Sequence, residues 1–101
     1  MSKQRTVRVL RRAEQDLREA REYIAIDRPD SASRVIDCIL DAIERLGRFP
    51  HGGPVPRDGR LKRLGYRYLS VDDYLVFYKV IPRWVRIYRV LHAKRAYWRI
   101  L

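Results

Sequence analysis

Residues 61–91 read LKRLGYRYLSVDDYLVFYKVIPRWVRIYRVL, and this stretch decides the fold. It holds three runs rich in Val, Ile and Tyr, at about Leu61–Val71, Tyr74–Ile81 and Trp84–Leu91, the composition of half-buried strands. Asp72-Asp73 and Pro82-Arg83 are all that separates them. Connections this short make consecutive strands antiparallel, so the spacing predicts a three-stranded meander.

Working towards the N-terminus, Phe49–Gly59 carries Pro50, Gly52, Gly53, Pro54 and Pro56 and reads as a loop. Before it, Ala32, Val35, Ile36, Ile39, Leu40, Ile43 and Leu46 hold one helical stripe. Pro29 and Asp30 suit the first turn of that helix, and Gly47 its C-terminal stop. An earlier helix spans about Arg11–Ile26, with Ala13, Leu17, Ala20 and Ile24 three or four residues apart. Val7 and Val9 alternate in a short first strand, Thr6–Leu10. The order is β-α-α-β-β-β, and residues 93–101 form a basic aromatic tail. The expected architecture is α+β, a helix hairpin packed on one face of a small antiparallel sheet, in one domain over residues 1–101. The opposite face is left partly open as a concave binding surface.

The charge points the same way. The 101 residues carry 23 Lys plus Arg against 12 Asp plus Glu, a formal net charge of +11. Residues 1–50 hold 11 basic and 9 acidic side chains, residues 51–101 hold 12 and 3, so the second half supplies the field. Arginine dominates, and its planar fork suits bidentate contact with phosphate or carboxylate. A polyanionic partner is the expectation. Cys38 stands alone, so no intrachain disulfide forms, which agrees with a reducing cytosol. No run of about 18 apolar residues or secretory signal is present, so a cytoplasmic protein that meets no membrane is expected. His51, His92 and Cys38 lack metal-ligand spacing and no glycine-rich phosphate motif occurs, so no metal and no nucleotide cofactor are expected. Ser2, Ser31, Ser33 and Ser70 sit in no nucleophile turn.

Candidate site residues lie in the second half. Arg60, Lys62, Arg63 and Arg67 lead into and along the first meander strand, where alternation sends Arg63 and Arg67 to one face. In the last strand Trp84, Arg86, Tyr88, Val90 and His92 share one face, and Val85, Ile87, Arg89 and Leu91 the other. Arg89 on that apolar side either pairs with a carboxylate or meets the target. His92, Lys94, Arg95, Tyr97 and Trp98 then bring an imidazole, cations and rings within seven positions. Metal-independent RNA cleavage needs proton-transfer groups, which His92 or Tyr97 would supply, cations for the phosphorane, and rings for splayed bases. The alternative is structural: His92 ends a strand, and Trp98, Ile100 and Leu101 close the core.

The runs Val7-Arg8-Val9, Arg28-Pro29 between the helices, Arg48-Phe49-Pro50, Leu64-Gly65-Tyr66-Arg67-Tyr68-Leu69, Tyr74-Leu75-Val76-Phe77-Tyr78-Lys79-Val80, and Tyr88-Arg89-Val90-Leu91-His92-Ala93-Lys94-Arg95 together carry a resemblance over nearly the whole sequence. The resemblance is to the toxins of bacterial type II toxin–antitoxin modules, in the RelE/ParE superfamily. It implies a growth-arresting toxin neutralised by a cognate antitoxin whose acidic, amphipathic C-terminal segment covers the basic face. It also implies a toxin–antitoxin complex that binds operator DNA through the antitoxin. ParE-like members inhibit DNA gyrase; RelE-like members cleave mRNA on the ribosome. Many ribonuclease members place an arginine where this chain has Leu75, and the run Arg89–Arg95 is more similar to ParE-like members. The resemblance therefore favours gyrase, with Arg67, His92 and Tyr97 as catalytic residues under the ribonuclease alternative. For target or nucleic-acid contact the expected set is Arg60, Lys62, Arg63, Arg67, Arg89, Lys94, Arg95 and Trp98.

Overall fold

The computed structural model describes residues 4–95 and 97–101; Ser2, weighed above as a nucleophile, and Ala96 of the basic tail lie outside the described residues. The elements run β1 (Thr6–Val9), α1 (Arg11–Asp27), α2 (Pro29–Arg45), α3 (Gly59–Arg63), β2 (Tyr66–Val71), β3 (Tyr74–Ile81), β4 (Trp84–His92) and α4 (Tyr97–Ile100). The antiparallel meander β2-β3-β4 forms as its short turns require, and β1 joins it in parallel beside β4, giving the order β1-β4-β3-β2. A parallel pair needs a long crossover, and the helix hairpin and two further strands between Val9 and Trp84 provide one.

The hairpin turns on a single residue. Arg28 donates its backbone N–H to the Ile24 carbonyl at 2.7 Å, and Pro29 opens α2. The apolar stripe of α2 buries Ala32, Val35, Ile36, Ile39 and Ile43 against α1 and the sheet residues Val76, Tyr78, Val85 and Ile87. Full burial of one such aliphatic side chain contributes roughly 1.5–3 kcal/mol, above the range of about 0.7 kcal/mol that separates ordinary residues in helix propensity, so packing holds α2 in place. Gly47 follows α2 for a reason other than a left-handed stop: a Cβ there would lie 2.7 Å from the Arg5 carbonyl oxygen.

Two expectations are corrected. The segment from Leu61 to Arg63 is helical rather than the start of a strand. Asp58 caps α3 by accepting the Arg60 and Leu61 backbone N–H groups at 3.0 Å each, which secures the turn. Arg63 therefore shares no strand face with Arg67. The alternation in β4 also breaks. Phe77 pairs with Arg89 but Tyr78 with Ile87, so Tyr88 is an extra residue in a β-bulge. Beyond the bulge Val90 packs under the helices and Leu91 on the other face. That other face, expected to be partly open, is covered over the rest. Leu61, Tyr66, Phe77 and Leu91 form a second cluster, packed by Tyr97, Ile100 and Leu101 of the C-terminal segment.

Candidate functional surfaces

The bulge and the end of β1 together create a polar point in the interior. β1 stops at Val9 while β4 continues, so the outer edge of β4 loses its strand partner there. Asp16 of α1 takes that place. It is 3% exposed, the one buried charged residue among those described. Its carboxylate accepts the Val90 backbone N–H at 2.9 Å, the Arg89 guanidinium at 2.7 and 3.1 Å, and Arg12 at 3.0 Å. Of the two roles weighed for Arg89, the structure places it in the carboxylate pair. Sequence patterning missed Asp16, although it falls on the stripe Ala13, Asp16, Ala20, Ile24, where a carboxylate needs a buried cation.

Beside this pair lies a cleft of about 510 Å³ lined by Asp16, Glu19, Ala20, Tyr23, Tyr74, Val90, His92, Lys94 and Arg95. His92 sits between the edges of Tyr23 and Tyr74, with ring centroids 6.4 and 5.4 Å away. Its Nδ1 accepts the Lys94 backbone N–H at 3.1 Å, which leaves the proton of the neutral ring on Nε2. Glu19, Tyr23 and Tyr74 were not expected in the site. Their positions on α1 and β3 become adjacent to the tail through packing alone.

The other expected residues are dispersed. Tyr97 packs on Phe77 at 5.1 Å, on the far face of the sheet from His92, whose neighbour Tyr74 belongs to the core under the helices. Arg67 donates to the Gly53 carbonyl at 2.7 Å, at the β2 edge. So His92, Tyr97 and Arg67 do not converge. Arg60 reaches the Trp98 and Leu101 carbonyls at 3.2 and 2.6 Å and fastens the end of α4 to α3. Lys62, Arg63, Lys94, Arg95 and Trp98 are exposed, with Lys94 and Arg95 at the cleft and Trp98 against Tyr97. Among the described residues no group of three His, Cys, Asp or Glu is placed to hold a metal ion, and no helix is long and apolar enough to cross a membrane.

Three tyrosines have their hydroxyls shifted upward, each chiefly by burial: Tyr66, with Tyr88 adding to the rise; Tyr74, with Tyr23 adding; and Tyr78, opposed by its bond from Gly53 and by Arg67. None is a base at neutral pH. Because the folded values lie above the ordinary 10.0, the stability these groups contribute is complete below pH 10.0 and is lost as pH rises through the folded values. Urea midpoints should therefore fall as the pH rises above 10.0; a level midpoint there would remove the burial effect.

The model for the ParE toxin of the parDE type II toxin–antitoxin system matches residues 7–97. The chain belongs to the ParE toxin family. It is 36% identical over 96 residues to the candidate toxin Y4kP of Sinorhizobium fredii, covering 95% of this chain and 92% of that protein. Its fold matches a chain of the chromosomal ParDE system of P. aeruginosa, with a TM-score of 0.74 and 17% identity over 90% of this chain and 98% of that one. A chain of the RelBE2 toxin–antitoxin complex of Mycobacterium tuberculosis is also similar, with a TM-score of 0.61 and 26% identity, covering 88% and 98%. The ParE-family chain is thus a type II toxin of the RelE/ParE superfamily, with the superfamily's helix hairpin and meander.

Proposed function

We propose that this toxin arrests growth by binding DNA gyrase, without cutting RNA itself. The observation that carries this reading is the dispersal of His92, Tyr97 and Arg67: an acid–base pair and its phosphate clamp must meet around one scissile bond, within hydrogen-bond reach. Here one lies in the helix-side cleft, one on the far face and one at the β2 edge, bound to Gly53. The ParE family match supports the same reading. Purified toxin in excess should block supercoiling by gyrase and co-purify with a gyrase subunit; unchanged supercoiling with no subunit captured removes the proposal.

A ribosome-dependent endoribonuclease is the second reading, and the cleft supports it by gathering His92, Lys94, Arg95 and Glu19. Mapping mRNA 5′ ends in a reconstituted translation reaction separates the two, since cuts within ribosome-bound codons belong to the second alone. Under either reading a cognate antitoxin with an acidic, amphipathic C-terminal segment covers the basic surface, the complex reaches operator DNA through the antitoxin, and the toxin works in the cytoplasm. The toxin–antitoxin systems found among its structural relatives support the antitoxin.

A further inference from the structure

On the sheet face turned away from α1 and α2, the strand register aligns three cations. Arg8 of β1 is the Cα partner of Arg86 of β4, and Arg86 is the partner of Lys79 of β3. Tyr66 of β2 closes the row beside Lys79. All face the same way, because Val7, Val9, Val85 and Ile87, which alternate with them, pack in the core under the helices. Like charges directly opposite one another on neighbouring strands destabilise a sheet. Here three stand in succession, and among the described residues none of them forms an ion pair.

The row is built rather than accidental. The Lys79 ammonium lies 4.5 Å from the Tyr66 ring centroid and 4.9 Å from that of Tyr88, so aromatic faces hold it in place while leaving its charge unneutralised. Trp84, two residues before Arg86 on the same face, is 38% exposed. The cover formed by α4 stops short: its cluster ends at Tyr66 and Tyr88, and Arg8 and Arg86 remain exposed.

We propose that Arg8, Arg86 and Lys79 form a platform for single-stranded nucleic acid, their side chains on the phosphates and Trp84 stacking on a base. Adjacent strands lie about 4.8 Å apart, so the row offers a cationic track of about 10 Å. Guanidinium forks match phosphate oxygens, and a solvent-facing ring beside a cationic track is how single strands are held without sequence preference. An acidic amphipathic helix, such as the antitoxin segment, fits the helix-side cleft with Lys94 and Arg95 better than this row, since it needs an apolar groove, and the apolar part of this face is already occupied by the C-terminal segment. The platform lies apart from the helix-side cleft and does not depend on the gyrase reading.

Anisotropy titrations of labelled oligothymidylate and oligouridylate over a salt series test it. Both should bind, and the double variant Arg8→Gln/Arg86→Gln should weaken binding about tenfold and flatten the slope of log affinity on log salt by about 1.4, at about 0.7 per lost phosphate contact. Trp84→Ala should weaken binding with the slope unchanged. The variant Arg34→Gln/Arg45→Gln removes the same charge from exposed positions of α2 and should bind as the parent does. Thermal melts of all variants report whether the fold persists. Absence of binding at low salt, equal losses in the two double variants, or competition by polyglutamate as strong as by oligothymidylate would each overturn the platform, the last in favour of an acidic protein partner. Gyrase supercoiling is read separately, so failure of one proposal leaves the other standing.

Discussion

Replacing Asp16 with alanine should cost the toxin about 3–5 kcal/mol, because it removes one partner of a buried ion pair and leaves the other charged and enclosed. The Arg89 side chain is 12% exposed and that of Asp16 2%, so water can replace the lost carboxylate only in part. The Val90 N–H, which Asp16 accepts at 2.9 Å, would be stranded at the unpaired edge of β4 as well. For a domain of this size each kcal/mol lowers the melting temperature by about 4–8 °C, so a fall of at least about 12 °C is expected by calorimetry. The double variant Asp16→Leu/Arg89→Met should recover much of it, since removing both charges leaves no uncompensated ion. A single variant melting with the parent would show that the pair contributes nothing to the fold.

Gly53→Ala should cost about 3 kcal/mol or more, at the upper end for overpacking. A Cβ at Gly53 collides with the Tyr68 carbonyl oxygen and lies 2.7 Å from the Tyr78 hydroxyl. Neither neighbour can yield. Tyr68 is in β2, and Tyr78 is wholly buried with its hydroxyl accepting the Gly53 N–H and donating to the Pro50 carbonyl, each at 2.9 Å. Arg67 adds a third tie by donating to the Gly53 carbonyl. The loop from Pro50 to Gly53 is therefore pinned to the sheet, and a side chain there forces the pin out. Gly52→Ala is the control: its nearest contact is the Phe49 carbonyl oxygen at 3.2 Å in an exposed turn, and it should cost under about 1 kcal/mol. Matching urea midpoints for the two variants would show that the loop is free to move away.

The candidate site was less legible than the fold, and the reasons are local. Arg89 was marked in the sequence as a cation on an apolar strand face, but its carboxylate lay 73 residues away in α1. His92 was recognisable as a titratable group after a strand, while Tyr23 and Tyr74, which frame it, come from a helix and a different strand. The run from His92 to Trp98 looked like one cluster because its members are close in the chain. In the structure the turn after β4 carries Lys94 and Arg95 to the cleft and Tyr97 to the far face. The row Arg8, Arg86, Lys79 was invisible from spacing, since no periodicity within one strand reports what stands across from it.

What the sequence determined by itself was most of what depends on near neighbours, the short α3 turn capped by Asp58 being the exception. Helical stripes, turn residues and strand composition act over a few residues, and they specified the helix hairpin, the meander and the basic second half. The tertiary structure decided the parallel pairing of β1 with β4, the bulge at Tyr88 and the cover over the second face. Each of these depends on contacts between segments far apart in the chain, where the free energy comes from shared burial rather than from any local pattern. The bulge shows this best: one extra residue on β4 reverses the alternation beyond it, sends Val90 under the helices and Leu91 to the other face, and leaves Arg89 beside Asp16.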